Sequence, residues 1–201
     1  MRELNDTARA GAAQRVGDLI NEALKAYANG EYENAGTLAA QAKDEATRSP
    51  RIRELLGLSY YQTERWQDAA RELLTYRRLT NRNDQNHVIA DCYRALERPD
   101  RAIEICSEVV RQEVSEDVWA EVVIVAASAF ADKGDLSRAL SEMNKADLET
   151  NSVQAHNLRL WYVRADLLER AGKKAQAHEL WERVYADDPR YFDVADRLKG
   201  S

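Results

Sequence analysis

Apolar residues recur at three- and four-residue spacing from about Val16 to Leu198, with polar positions between them. That spacing places one buried stripe along each of a succession of helices. Short polar or glycine-bearing breaks divide the pattern into predicted helices over roughly 7–28, 31–47, 50–63, 66–80, 85–96, 99–113, 116–132, 136–148, 152–171, 174–187 and 189–198. The breaks carry helix-boundary chemistry. Ser49-Pro50 reads as an N-cap hydroxyl followed by a proline whose missing N–H costs nothing at the first helical position. Arg98-Pro99 opens another helix, and Ser115-Glu116-Asp117 sets a capping hydroxyl and two acids at the positive end of a third. Asn29-Gly30 and Lys133-Gly134 are natural exits. The longest apolar run, Val122 to Ala131, is far shorter than the ~20 residues that cross a bilayer, so it reads as a core helix.

The chain also repeats itself. A pair of small residues twelve apart recurs as Ala23 and Ala35, Gly57 and Ala69, Ala90 and Ala102, Ala127 and Ala139, Ala165 and Ala177. Successive pairs lie 33 to 38 residues apart, the period of stacked helix pairs. Tyr27, Tyr60, Tyr93, Phe130 and Leu168 follow the first small residue, and the junctions fall at Gly30, Glu64, Glu97, Gly134 and Gly172. Tyr32, Trp66, Pro99, Leu136 and Ala175 come next. Each second helix then carries an i, i+3 pair: Ala39 and Ala42, Leu73 and Tyr76, Cys106 and Val109, Met143 and Ala146, Trp181 and Val184.

These positions resemble the tetratricopeptide repeat (TPR) family. Its pattern runs from a large residue through Leu-Gly, Tyr, a glycine turn, Ala, an aromatic and Ala to a closing Pro. The second repeat matches with Leu56-Gly57, Tyr60, Trp66 and Ala69, and the fifth with Trp161, Ala165, Gly172, Ala177, Trp181 and Pro189. Arg53 and Asn86 replace the leading large residue, and Glu64 and Glu97 replace the turn glycine. The resemblance covers about Val16 to Pro189, and the chain looks like small bacterial TPR proteins of undefined activity, especially around Arg53 to Glu72. It implies an all-α, right-handed solenoid of about five helix pairs forming a single domain over 1–201 (repeats 16–49, 50–82, 83–115, 116–150 and 151–188). The helix at 189–198 would be the polar cover that a solenoid end requires. Tyr191, Val194, Ala195 and Leu198 share its inner side, leaving Arg190, Asp193 and Arg197 elsewhere.

The register accounts for Gly57, which costs roughly 1 kcal/mol of helix propensity against alanine. It occupies the small position where the second helix of a repeat approaches the first. A leucine there should overpack by ~1–3 kcal/mol, whereas alanine, present in the other four repeats, is expected to be close to neutral.

Composition narrows the function classes. With 29 basic and 35 acidic residues in 201, the net charge of −6 argues against nucleic acid or an anionic membrane as the main partner. Three prolines and eight glycines agree with a helical chain. Cys92 and Cys106 are the only cysteines and read as reduced core thiols of a cytoplasmic protein. Met1 to Gln14 has no apolar core, so no signal peptide is expected.

No phosphate-binding glycine loop, HExxH or G-x-S-x-G occurs, and His87, His156 and His178 fall in different repeats. Asp84, His87, Asp91 and Arg94 share one predicted helix face, but no third ligand lies near to complete a metal set, so they read as a polar face that lines a groove or faces water. Glu116-Asp117 and Asp187-Asp188 read as helix-start charges. Trp66, Trp161 and Trp181 are expected in the core, and Trp119 at a contact between repeats. No enzyme activity, catalytic residue, metal or cofactor is expected.

In the TPR family the first helices of successive repeats line a concave groove that holds extended peptides or partner helices. Carried onto this chain, the resemblance places Ile20, Leu24 and Tyr27 there, then Glu54, Leu58 and Tyr61, His87, Asp91 and Arg94, Ile124, Ser128 and Ala131, and Tyr162, Asp166 and Glu169. The family's carboxylate-clamp positions hold residues such as Ile20, Leu24 and Val88, which disfavours a chaperone-tail ligand. The groove is aromatic and aliphatic first and acidic further on. The expected partner is a protein or peptide with apolar anchors and basic residues, bound by a monomer or weak homodimer. An alternative is a structural, self-associating element. Residues 47–82 carry eight arginines against four acids and residues 86–150 seven basic against fourteen acidic, a bipolar outer face.

Overall fold

The computed structural model describes residues 11–148 and 152–200. Among them the chain is helical, without strands. The helices are α1 (Ala13–Ala28), α2 (Tyr32–Glu45), α3 (Pro50–Gln62), α4 (Trp66–Thr80), α5 (Asn86–Ala95), α6 (Pro99–Ser107), α7 (Glu116–Asp132), α8 (Leu136–Met143), α9 (Ala155–Arg170), α10 (Lys174–Asp187) and α11 (Val194–Gly200), with a 3₁₀ turn at Arg111–Glu113. They fall into two compact units, Met1–Arg98 and Pro99–Ser201.

Ser49 and Ser115 cap α3 and α7 as the sequence predicts, accepting from the Ile52 and Val118 amides. Several boundaries differ. The predicted start at 7 lies outside the described residues, and α1 begins at Ala13, after Gly11 with φ +79°. The helix expected through 113 ends at Ser107, because Val110 is extended, and resumes only as the 3₁₀ turn. Helix α8 stops at Met143, and α9 starts at Ala155, where the Gln154 amide donates to Asn157 Oδ1 (2.9 Å). The terminal helix begins at Val194 rather than 189, because Asp188 is extended and Phe192 takes φ +44°.

The two helices of each pair are joined by the same turn five times. Gly30, Glu64, Glu97, Gly134 and Gly172 all have left-handed φ, between +58° and +80°. The amide after each reaches back five residues. Glu31 bonds to the Ala26 carbonyl, Arg65 to Tyr60, Arg98 to Tyr93, Asp135 to Phe130 and Lys173 to Leu168, at 2.8–3.0 Å. This closure satisfies the orphan carbonyls of a helix end, and in the four pairs that lie within one unit it sends the next helix back along the first. The two glutamates hold a conformation that glycine adopts freely and other residues at a cost.

In the N-terminal unit, Val16 and Ile20 of α1 pack with Ala42 and Ala46 and with Ile52 of α3. Ala23, Ala39, Leu55 and Leu56 form the next layer, and Ala69, Ala70 and Cys92 the last. Gly57 does face Leu73 of α4, but the room is smaller than the alanine expectation requires. An added Cβ would lie 2.6 Å from Leu73 Cγ, so alanine at 57 cannot be neutral. Glu72 is buried nearby and is held by Lys43 (3.2 Å) and by a short ion pair to Arg53.

In the C-terminal unit, Ala120, Val123, Ile124 and Ala127 of α7 pack with Ala139, Met143, Leu160 and Leu167. Trp161, Ala165, Leu168, Ala177, Trp181 and Val184 form a second cluster, which Val194 of α11 closes. Trp161 and Trp181 are core residues as expected, and Trp66 is half-buried. Trp119 makes contacts of both kinds. Its Nε1 donates to the Lys145 carbonyl within its own repeat (3.2 Å), and Arg111 of the preceding repeat lies 5.9 Å over its ring.

Candidate peptide-binding faces

The N-terminal unit brings several predicted residues together on neighbouring faces of α3 and α5. Tyr61 donates to Asp91 Oδ2 (2.6 Å), and Arg94 Nη1 holds the other carboxylate oxygen (2.7 Å). The Tyr61 ring stands edge-on to Trp66 at 5.4 Å. Glu54 accepts from Gln85 Nε2 at 2.9 Å, and burial raises its carboxyl above the ordinary range. Leu58 and His87 are half-buried on the same two helices. The result is a polar, pre-ordered surface in which the Asp91 charge is already shared by a phenol and a guanidinium. Such groups need little reorganisation on binding.

Two expectations fail here. Asp84 does not join His87, Asp91 and Arg94 on one helix face. It lies in the turn before α5, paired with Arg82 (2.5 Å) and accepting from Tyr76 (3.2 Å). Ile20 is 1% exposed and belongs to the core, so only Leu24 and Tyr27 of its trio reach the surface. Cys92 points into the packing as predicted, and burial pushes its thiol up to about 12, which leaves no reactive thiolate.

The C-terminal unit departs further from the expectation. Ile124 and Ala131 are 3% and 4% exposed and offer nothing to a ligand, while Ser128 is half-buried. Tyr162, Asp166 and Glu169 are brought together, but by the chain's own Arg197. Its Nη1 lies 2.7 Å from Glu169, its Nη2 3.4 Å from Asp166 and its Nε 2.9 Å from Asp193. Asp193 also accepts a short bond from the Tyr162 hydroxyl. Burial, and then that contact, push the Tyr162 phenol up to about 12. Rings of Trp181, Tyr191 and Phe192 lie 5.0, 5.6 and 5.2 Å from Tyr162. The acidic end of the predicted groove is thus already engaged from within the chain, with Arg170 also 3.6 Å from Asp166.

The sequence placed Arg197 away from the inner side of the last helix. That followed from drawing one regular helix over 189–198. Starting the helix at Val194 redirects Arg197 toward α9. The left-handed Phe192 carried no sequence signal. No group of three or more His, Cys, Asp or Glu among the described residues is placed to hold a metal ion. No described helix is long and apolar enough to cross a membrane.

No family model matches the sequence, and no curated protein matches it. Solved structures do. A thermophilic TPR protein of Thermus thermophilus superposes with a TM-score of 0.69 over 92% of this chain and 97% of its own, at 16% identity. The TPR-like repeats of a putative kinesin light chain from Podosopora anserina give 0.70 over 91% and 100%, at 18% identity. YrrB, a TPR protein with an unusual peptide-binding site, gives 0.59 over 90% of each chain, at 17% identity. The fold is therefore that of the TPR solenoids, a stack of helix pairs.

Proposed function

We propose that this protein is a protein–protein interaction module, an adaptor or scaffold without catalytic activity, that acts in the cytoplasm. It binds a peptide or partner helix on first-helix faces, chiefly Glu54, Leu58, Tyr61, His87, Asp91 and Arg94 of the N-terminal unit. The observation that carries this reading is the Tyr61–Asp91–Arg94 arrangement beside half-buried Leu58. It sets an apolar anchor point next to an ordered polar cluster on the face that the TPR resemblance assigns to ligands. The TPR fold supports the reading, as does the peptide-binding site described for YrrB.

The test is calorimetry against a partner captured from the native host, with Tyr61→Ala/Asp91→Asn on the face and Arg48→Gln/Arg78→Gln on exposed outer positions as the control. The face pair is expected to weaken binding by about tenfold or more, equivalent to ~1.4 kcal/mol. The arginine pair should leave it unchanged. The reverse result would favour assembly through the charged outer face.

A further inference from the structure

The surface of α9 that carries Tyr162, Asp166 and Glu169 is covered by residues 189–198 of the same chain. This strap brings two adjacent aromatic residues, Tyr191 and Phe192, and one arginine five residues after them. Tyr191 and Phe192 pack on Tyr162, and Arg197 bonds to Asp166 and Glu169 while lying 5.4 Å over the Trp181 ring. An aromatic anchor with a basic residue is the chemistry this face complements, and the strap supplies it from within.

The strap is also held under tension. Phe192 adopts φ +44°, a backbone conformation that a bulky side chain disfavours, and is 71% exposed. Beneath Arg197, the Trp181 Nε1 is buried with no hydrogen-bond partner among the described residues, which is costly for a donor. The ionic contacts that offset this are partly open to water. The Arg197, Asp166 and Glu169 side chains are 31–32% exposed, so salt and competing ions reach them.

We propose that the α9 face is a docking surface for a peptide bearing an aromatic residue followed by an arginine, and that the strap is its built-in competitor. This rests on reading first-helix faces as the binding surface. The partner's aromatic side chain takes the place of Tyr191 and Phe192 against Tyr162, and its guanidinium takes that of Arg197 between Asp166 and Glu169. Binding releases the Phe192 strain and frees the strap.

The probe is a fluorescent synthetic peptide spanning residues 188–199 of this chain, DPRYFDVADRLK. It is titrated into the full-length protein, into R197Q, and into R197Q/D166N/E169Q. Hydrogen exchange is followed in the strap and in α10. In R197Q the strap is expected to exchange at least about tenfold faster while α10 stays protected. That variant should bind the probe about tenfold or more tighter than wild type. The triple variant, or a probe with the arginine at position 197 changed to glutamine, should lose that gain. Unchanged strap exchange in R197Q would overturn the latch, as would loss of protection in α10, which would show that the strap cannot open without unfolding the last repeat. An opened strap without gain in probe affinity would overturn the docking surface. None of these outcomes touches the N-terminal face, whose failure would appear only with Tyr61 and Asp91.

Discussion

Gly57 and Leu73 are fitted to each other so closely that neither helix has room for one more carbon. A Cβ on Gly57 would stand 2.6 and 2.8 Å from Leu73 Cγ and Cδ2, and Leu73 is fully buried, so it cannot swing away. The same addition at Gly36 meets Ser59 Cβ at 3.5 Å, an ordinary contact. The two substitutions should therefore have opposite signs. Gly57→Ala is expected to destabilise by about 1–3 kcal/mol through overpacking. Gly36→Ala should stabilise by about 0.5–1 kcal/mol through helix propensity. Urea denaturation of both variants checks the pair, and a stabilised Gly57→Ala would show that α3 and α4 can part freely.

The turn glutamates give a second prediction. Glu64 and Glu97 hold φ near +58°, where the other three repeats use glycine. Replacing either with glycine relieves a strain of roughly 1–2 kcal/mol and loses part of that gain to the unfolded chain's greater freedom. Each change should raise stability by about 0.5–1 kcal/mol. Thermal melts read the result directly, and a loss of stability would mean that the glutamate side chains contribute more than their backbones cost.

Glu72 predicts a pH dependence. Burial raises its carboxyl, but hydrogen bonds from Arg53 and Lys43 outweigh burial and hold it below the ordinary range. A carboxyl depressed in the folded state contributes stability that is complete above its unfolded value, about 4.3. That contribution is withdrawn as the pH falls through the folded value. Glu72→Gln should cost about 2–3 kcal/mol at neutral pH, since it leaves two cations without their carboxylate. Its denaturation midpoint should then fall less than wild type between pH 5 and 3. Parallel acid profiles would remove Glu72 from the account.

The terminal cover can be tested by ending the chain at Asp188. Val194 is fully buried against the cluster that contains Trp181 and Val184. Removing it exposes that cluster, which a solenoid end cannot leave bare. The truncated protein is expected to self-associate in light scattering at concentrations where wild type does not. A truncation with wild-type scattering and melting would leave α11 without a capping role.

The repeat was legible because its signals are local and recurrent. The small pairs such as Ala127 and Ala139 and the apolar pairs such as Trp181 and Val184 recur at a fixed period. A tight turn also needs a left-handed residue, whether or not the sequence supplies glycine. Glu64 and Glu97 looked like departures because side-chain identity was read where backbone geometry decided. The faces were less legible. Ile20 and Ile124 stood on the family's groove register, but burial depends on what neighbouring helices bring, and both are covered. Arg197 was missed because its reach to Asp166 and Glu169 depends on where a short helix starts, which pattern alone cannot fix.

Glu72 has one more consequence, for how the chain comes apart. Its carboxylate belongs to the second repeat, Lys43 to the first, and Arg53 to the helix between them, while Arg53 also donates to the Thr47 carbonyl in the connection (2.8 Å). Repeat arrays fray from their ends when each repeat is only loosely coupled to the next. Here the first helix pair cannot peel away without pulling Lys43 off the Glu72 carboxylate and breaking the Arg53 bond to the Thr47 carbonyl. The first two repeats should therefore melt as one cooperative step, with no populated state in which only the first has been lost.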